Sequence, residues 1–243
     1  MTKEIIPLKR GIYPSLNADS SGSNRIKAIV SVIVSNIPGK GGILASFLTA
    51  YLGESVSSDK QREIITILED LMIRVELLED EEGRIKYLQS EGFEYIFREC
   101  IKGMANHYQA QKIAFFKGIL LNSIKIDIEQ DTKEYYLNLV NNLSELHLRI
   151  LALLNDPENY FDFYNLNKSS VLQASFNDVI KIAIPNVPEE ILKSAFADLY
   201  QKRFTTSDPS LFATLTSTKG FYVISGRVSA NGKDFIKFCL ESD

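Results

Sequence analysis

The order of elements in the last third of the chain is the strongest constraint on the fold. From Pro188 to Leu240 the sequence contains an amphipathic helix, two short runs rich in β-branched and aromatic residues, and a closing helix. Such runs are typical of strands, and Gly220 between them is a turn residue. We predict helices at Ser144–Leu154, Val171–Ile184 and Pro188–Phe204, strands at Leu211–Thr216 and Phe221–Arg227, and a turn at Thr218–Gly220. This is the order of a winged helix-turn-helix with a short β-hairpin wing. The aromatic stretch Tyr160–Tyr164 before it is predicted as a connection or a short strand.

The most apolar region, Ile26–Gly53, predicts two helices separated by a tight turn. Pro38 and the glycines that follow it stop a helix. Each half is much shorter than the roughly 20 apolar residues that cross a bilayer. A buried helical hairpin is therefore favoured, and a membrane-inserting hairpin over residues 26–53 is the alternative. A phosphate-binding loop is excluded because Gly41 follows Lys40, where Ser or Thr would hold magnesium.

The middle of the chain has the periodicity of amphipathic helices. Apolar residues from Ile64 to Leu78 follow a 4-3-4-3 spacing, which favours packing within a bundle and leaves dimerisation as an alternative. Glu91–Met104 and Tyr108–Ile124 each collect their apolar residues on one face. We therefore predict a mainly α protein. Its predicted parts are a flexible arm at residues 1–24, a helical domain at 25–142 and a winged-helix domain at 143–243.

The residues that usually perform catalysis or hold metals are few. Neither His107, in a predicted turn, nor His147, among leucines, has a Cys, Asp or Glu at the spacing of a metal site or catalytic triad. We expect no catalytic residue, no metal and no cofactor. The two cysteines, Cys100 and Cys239, are too few for a disulfide framework. The N-terminus lacks a secretory signal, so we expect a cytoplasmic protein.

Charge decides between the two usual roles of a winged helix. Binding to DNA depends largely on cations that neutralise phosphates. From Ser144 to the end, however, the sequence contains ten Lys and Arg residues but twelve Asp and Glu residues, and the whole chain has a net charge of -4. The predicted recognition helix also begins with Glu189 and Glu190. We therefore favour a protein-docking surface over DNA. The candidate contact residues for either partner are Lys193, Lys202, Arg203, Lys219 and Arg227.

The chain resembles bacterial proteins of the abortive-infection alpha type and their relatives in phage-defence loci. The resemblance is carried by the following segments: Ile37-Pro38-Gly39 to Gly42 in the apolar hairpin, the amphipathic helices of Phe93–Ile124, the sequence LSELHLRILALL, and the closing sequence VSANGKDFIKFC. Val228 and Ser229 stand where that closing segment usually has Leu-Thr. The resemblance implies a prokaryotic, non-catalytic role in defence against phages or plasmids.

Three functional hypotheses follow. The first is an interaction or adaptor subunit that docks on a protein partner, such as a nuclease or ATPase subunit of the same system. The second is a DNA-binding winged-helix regulator. The third is a membrane-acting effector that uses the hairpin at residues 26–53. A homodimer is compatible with each of them.

Overall fold

The computed structural model describes residues 22–37, 39–76, 81–125, 127–214 and 219–240. These residues form thirteen α-helices and two short 3₁₀ helices, and their only β-pairing is one isolated bridge. The prediction of a mainly α protein is confirmed. The described residues divide into two compact units, the first ending at Arg98 and the second beginning at Glu99. Residues 1–21 of the predicted arm lie outside the described residues.

The first unit contains four helices and the start of a fifth. They are α1 (Gly22–Asn36), α2 (Gly41–Ser55), α3 (Ser58–Glu76), α4 (Glu81–Leu88) and α5 (Glu91–Asn106), which continues into the second unit. α1 packs against both α2 and α3. Ile29 and Ile33 of α1 are buried, as are Leu48 and Leu52 of α2. The apolar seam predicted along α3 is also buried inside this unit as far as Val75, and Leu78 lies outside the described residues.

The predicted turn between α1 and α2 is present, and it brings the two helices into close contact. A Cβ on Gly41 would lie 2.7 Å from the carbonyl oxygen of Ile33 and 2.8 Å from Cα of Val34. Lys40 in the same turn places its Nζ 2.6 Å from Oε2 of Glu94. This hydrogen bond lowers the pKa of Glu94. Lys40, the residue considered for a phosphate-binding loop, is therefore paired with Glu94 within the fold.

The close approach at Gly41 makes a testable prediction about stability. Gly41→Ala forces the backbones of α1 and α2 apart, so we expect it to lower the free energy of unfolding by about 1–3 kcal/mol. The matched control is Gly42→Ala, whose Cβ would meet nothing within 4 Å. That control should be neutral or stabilise by up to about 1 kcal/mol, because alanine favours the helix. Urea unfolding of both variants measures the difference. Equal stability of the two would contradict the packing.

The second unit contains the remaining helices. They are α6 (Ala110–Asn122), α7 (Gln130–Asn142), α8 (Glu145–Asn155), α9 (Pro157–Phe163), α10 (Phe176–Ala183), α11 (Glu189–Gln201), α12 (Phe221–Ile224) and α13 (Ala230–Leu240), with 3₁₀ helices at Lys168–Val171 and Pro209–Phe212. α13 packs against α6 and α8, and α11 packs against α8. The domain boundary predicted at residues 142/143 divides the chain differently, since α6 and α7 belong to this unit.

The predicted strand Phe221–Arg227 is wrong. Phe221–Ile224 forms the helical turn α12, in which both Val223 and Ile224 are buried. In a strand, the side chains of two consecutive residues such as Val223 and Ile224 would point to opposite faces. In the helical turn, both side chains are buried. The ring of Phe221 packs edge-on against Phe161 at 5.0 Å, which holds the turn in place.

The other predicted parts of the wing are also replaced. Leu211 and Phe212 belong to the 3₁₀ helix Pro209–Phe212, whereas residues 215–218 lie outside the described residues. Among the described residues of this region, the only pairing is the antiparallel bridge between Thr205 and Val228. A β-hairpin wing is therefore not supported by the described residues. The three predicted helices upstream are present with shifted ends.

Candidate functional site

The predicted helix-turn-helix corresponds to α10 and α11, and polar residues define where each helix begins. Ser175 caps α10 through a reciprocal pair of hydrogen bonds with Asp178. This cap starts the helix after the predicted start at Val171. Arg203 has φ +59, which ends α11 before the predicted Phe204. Both helices are therefore shorter than their apolar periodicity predicts.

Glu189, at the start of α11, connects the two helices. Its carboxylate accepts a hydrogen bond from Nδ2 of Asn177 at 3.0 Å and pairs with Nζ of Lys181 at 2.5 Å, both on α10. It also pairs with Nζ of Lys193 at 2.8 Å. The hydrogen bonds from Lys181, Lys193 and Asn177 lower the pKa of Glu189 to about 2. Glu189 is thus ionised, and two lysines balance its charge. Its contacts with α10 stabilise the corner between the two helices.

The five candidate contact residues have different environments. Lys193 is paired with Glu189 and with Glu190. Arg227 donates from Nε to the carbonyl oxygen of Val223 at 3.1 Å and from a terminal nitrogen to Oγ of Ser207 at 3.0 Å. Both of these cations are therefore already paired with groups of the chain itself.

The other three candidates are more accessible to a partner. Lys219 is half-buried, and its charge contributes to the lowered pKa of Asp178 after the larger effect of the hydrogen bond from Ser175. Lys202 and Arg203 are exposed at the C-terminal end of α11. The cations available on this helix are therefore concentrated at one end.

The remaining exposed surface of α11 carries no cation. We call Glu190, Ile191, Ser194, Asp198 and Gln201 the outward face of α11, and all five are exposed. Tyr200, which is 43% exposed, lies on another side of the helix. Ile191 is 52% exposed, whereas Leu192, Phe196 and Leu199 of the same helix are buried. This outward face combines an apolar residue with two acids.

His147 connects α8 to α11, a role that was not predicted from the sequence. Its Nδ1 accepts from the backbone N–H of Ser144 at 3.2 Å and lies 2.6 Å from Ser144 Oγ. Its Nε2 lies 3.2 Å from Oδ2 of Asp198. The order Ser–His–Asp matches that of a catalytic triad. Here, however, the histidine accepts from the N-cap backbone and completes a capping box at the start of α8.

The second unit also contains a cavity of about 360 Å³ beside α9. It is lined by Ala110, Gln111, Ala114, Ala152, Asn155, Asp156, Asn159, Tyr160, Phe163, Tyr164, Ile236 and Leu240. The aromatic stretch that forms one wall was predicted as a connection or strand, and this prediction is wrong. It is the helix α9, which Asp156 caps by accepting from the N–H of Asn159 at 3.1 Å. Pro157 at the first helical position also favours this start.

An arginine and two tyrosines support the aromatic wall. Nε of Arg149 donates to the hydroxyl of Tyr160 at 3.1 Å, and its guanidinium lies 5.2 Å from the ring centroid of Tyr164. Burial raises the pKa of Tyr160 to about 12. The hydroxyl of Tyr164 donates to Oε1 of Gln111 at 3.3 Å. The wall is therefore a hydrogen-bonded array and not a loosely packed group of rings.

The described residues do not support a metal site or a membrane-spanning helix. No group of three His, Cys, Asp or Glu residues that could hold a metal ion occurs within the described ranges. Among the described helices, none combines the length and the apolar character needed to cross a membrane. Comparison of the chain with protein-family models, curated proteins and solved structures finds no match.

The Glu189 cluster predicts a pH dependence. Its folded-state pKa of about 2 lies below the ordinary value of 4.5. The cluster therefore stabilises the fold at pH values above the ordinary pKa, and this contribution is lost as the pH falls from there towards about 2. We expect Lys181→Met and Lys193→Met each to raise the pKa of Glu189, as measured by carbon-detected NMR of its carboxyl group.

The matched control is Lys168→Met. Lys168 pairs with Asp162, away from Glu189, so this variant should leave the titration of Glu189 unchanged. A wild-type Glu189 that titrates at its ordinary value would contradict the cluster.

Proposed function

We propose that this protein is a non-catalytic interaction subunit of a prokaryotic complex, and that it docks on a partner protein through the outward face of α11. The observation that carries the proposal is the composition of that face. Ile191 is 52% exposed there, and Glu190 and Asp198 are its charged residues. An exposed aliphatic residue within a polar rim is the usual arrangement of a protein interface.

The same face is poorly suited to DNA. A helix that enters the major groove needs cations or amides towards the bases and cations towards the flanking phosphates. Gln201 is the one amide on the outward face, and Lys193 is occupied by two glutamates. Lys202 and Arg203 are the observation that favours the alternative, a DNA-binding regulator, since both are exposed at the end of α11.

The resemblance to abortive-infection alpha proteins supports a role in defence against phages or plasmids. A non-catalytic subunit needs a catalytic partner to act, and a nuclease or ATPase subunit of the same system is the partner that we propose. The cytoplasm is the compartment in which both would meet.

The test is purification of the tagged, full-length protein from its native cells. We expect one partner at near-equal stoichiometry that persists after nuclease treatment and is lost in Ile191→Asp. The matched control is Tyr222→Ser, which removes an 84% exposed ring on α12 and should retain the partner. Both variants should unfold at the wild-type temperature, because exposed substitutions change stability little.

A duplex-binding measurement distinguishes the alternative. We expect a labelled random-sequence DNA duplex to show no salt-dependent binding at low ionic strength. Binding that is abolished by the double variant Lys202→Glu/Arg203→Glu would reject the docking subunit in favour of the regulator.

A further inference from the structure

We infer that the cavity beside α9 is a binding site for an arginine side chain of a partner protein. This inference rests on the proposed function in one respect, which is that the ligand belongs to a protein. The cavity has the size of a ligand site, combines apolar walls with a few polar groups, and is separate from the outward face of α11 in its residues.

Charge selects a cation as the occupant. Asp156 is the only Asp, Glu, Lys or Arg among the residues that line the cavity. Its carboxylate is exposed and accepts a hydrogen bond from the N–H of Asn159. An ionised carboxylate can accept several hydrogen bonds, so the cap leaves capacity for a cationic donor.

The aromatic wall selects the same kind of ligand. The rings of Phe163 and Tyr164 meet at 81° with centroids 5.0 Å apart, so they form a corner at the cavity. Phe163 is 69% exposed, so its ring is accessible to a ligand. Phe163 and Asp156 line the same cavity, and an aromatic ring and a carboxylate are both groups that attract organic cations. Because Arg149 of the fold already packs on Tyr164, Phe163 is the ring that we assign to the ligand.

The remaining lining residues favour arginine over lysine. Asn155, Asn159 and Gln111 line the cavity together with Asp156, and a guanidinium has five donors with which to use amide and carboxylate oxygens. Ala110 and Ala114 give the cavity an apolar side, along which the aliphatic stem of an arginine packs. A planar guanidinium also stacks on aromatic rings, whereas an ammonium does not.

The experiment compares two blocked peptides that differ only in a central arginine or its uncharged analogue citrulline. Each is titrated into the full-length protein and followed by NMR of the side-chain amides of Asn159 and Gln111. We expect the arginine peptide to bind with a dissociation constant of about a millimolar, the strength of a single side-chain contact. The citrulline peptide should bind more weakly.

Two variants and a control test the assigned contacts. Asp156→Asn keeps the helix cap, because asparagine caps as well as aspartate, but it removes the charge. We expect it to weaken arginine binding roughly three- to fivefold, and Phe163→Leu to weaken it by a similar factor. Asp162→Asn, whose acid pairs with Lys168 outside the cavity, should leave binding unchanged at physiological salt.

Three results would overturn the inference. They are equal shifts with the two peptides, no shift at the lining residues up to roughly ten millimolar peptide, and wild-type affinity in Asp156→Asn. Because the titration needs no native partner, its failure leaves the purification test of the proposed function intact. Conversely, Ile191→Asp should leave peptide binding unchanged, so the two surfaces are tested separately.

Discussion

Burial of Phe235 is the interaction on which the second unit depends. This residue of α13 contacts Phe115 of α6 at 5.6 Å, Tyr136 of α7 at 5.5 Å, and Phe204, just after α11, at 5.1 Å. Three segments far apart in the sequence therefore meet on one ring. Removing a fully buried phenylalanine typically costs about 3–5 kcal/mol, a large fraction of the stability of an ordinary domain. The contact between Phe204 and Phe235 holds the chain that follows α11 against α13.

Glycines allow α13 to come close enough for that contact. A Cβ on Gly118 of α6 would lie 1.7 Å from the carbonyl oxygen of Cys239, and a Cβ on Gly232 would lie 2.4 Å from that of Phe204. The same helix supplies Ile236 and Leu240 to the cavity beside α9. The packing that buries the core thus also fixes one wall of the proposed arginine site.

Apolar periodicity predicted most of the helices, because a repeat of about 3.6 residues can be read without knowledge of partners. It failed where long-range contacts override local preference. Phe221–Ile224 has the composition of a strand but forms a helical turn, since its contact with Phe161 comes from sixty residues away in the chain. α9 was misread for a different reason. Asp156 and Pro157 are a recognisable start signal, and the aromatic residues after them concealed it.

The cavity could not be predicted in this way, because its walls come from α6, α8, α9 and α13, and no local pattern shows that those helices meet. The charge argument at α11, in contrast, was partly available from the sequence. Counting Glu189 as a repulsive acid gave it the wrong role, since it binds Lys181 and Lys193. Removing these three residues from the count takes away two cations and one anion. The net charge of α11 itself does not change, because Lys181 lies on α10. Two of the ten cations, however, are paired with Glu189 and are not available to DNA phosphates, which agrees with the preference for a protein partner over DNA.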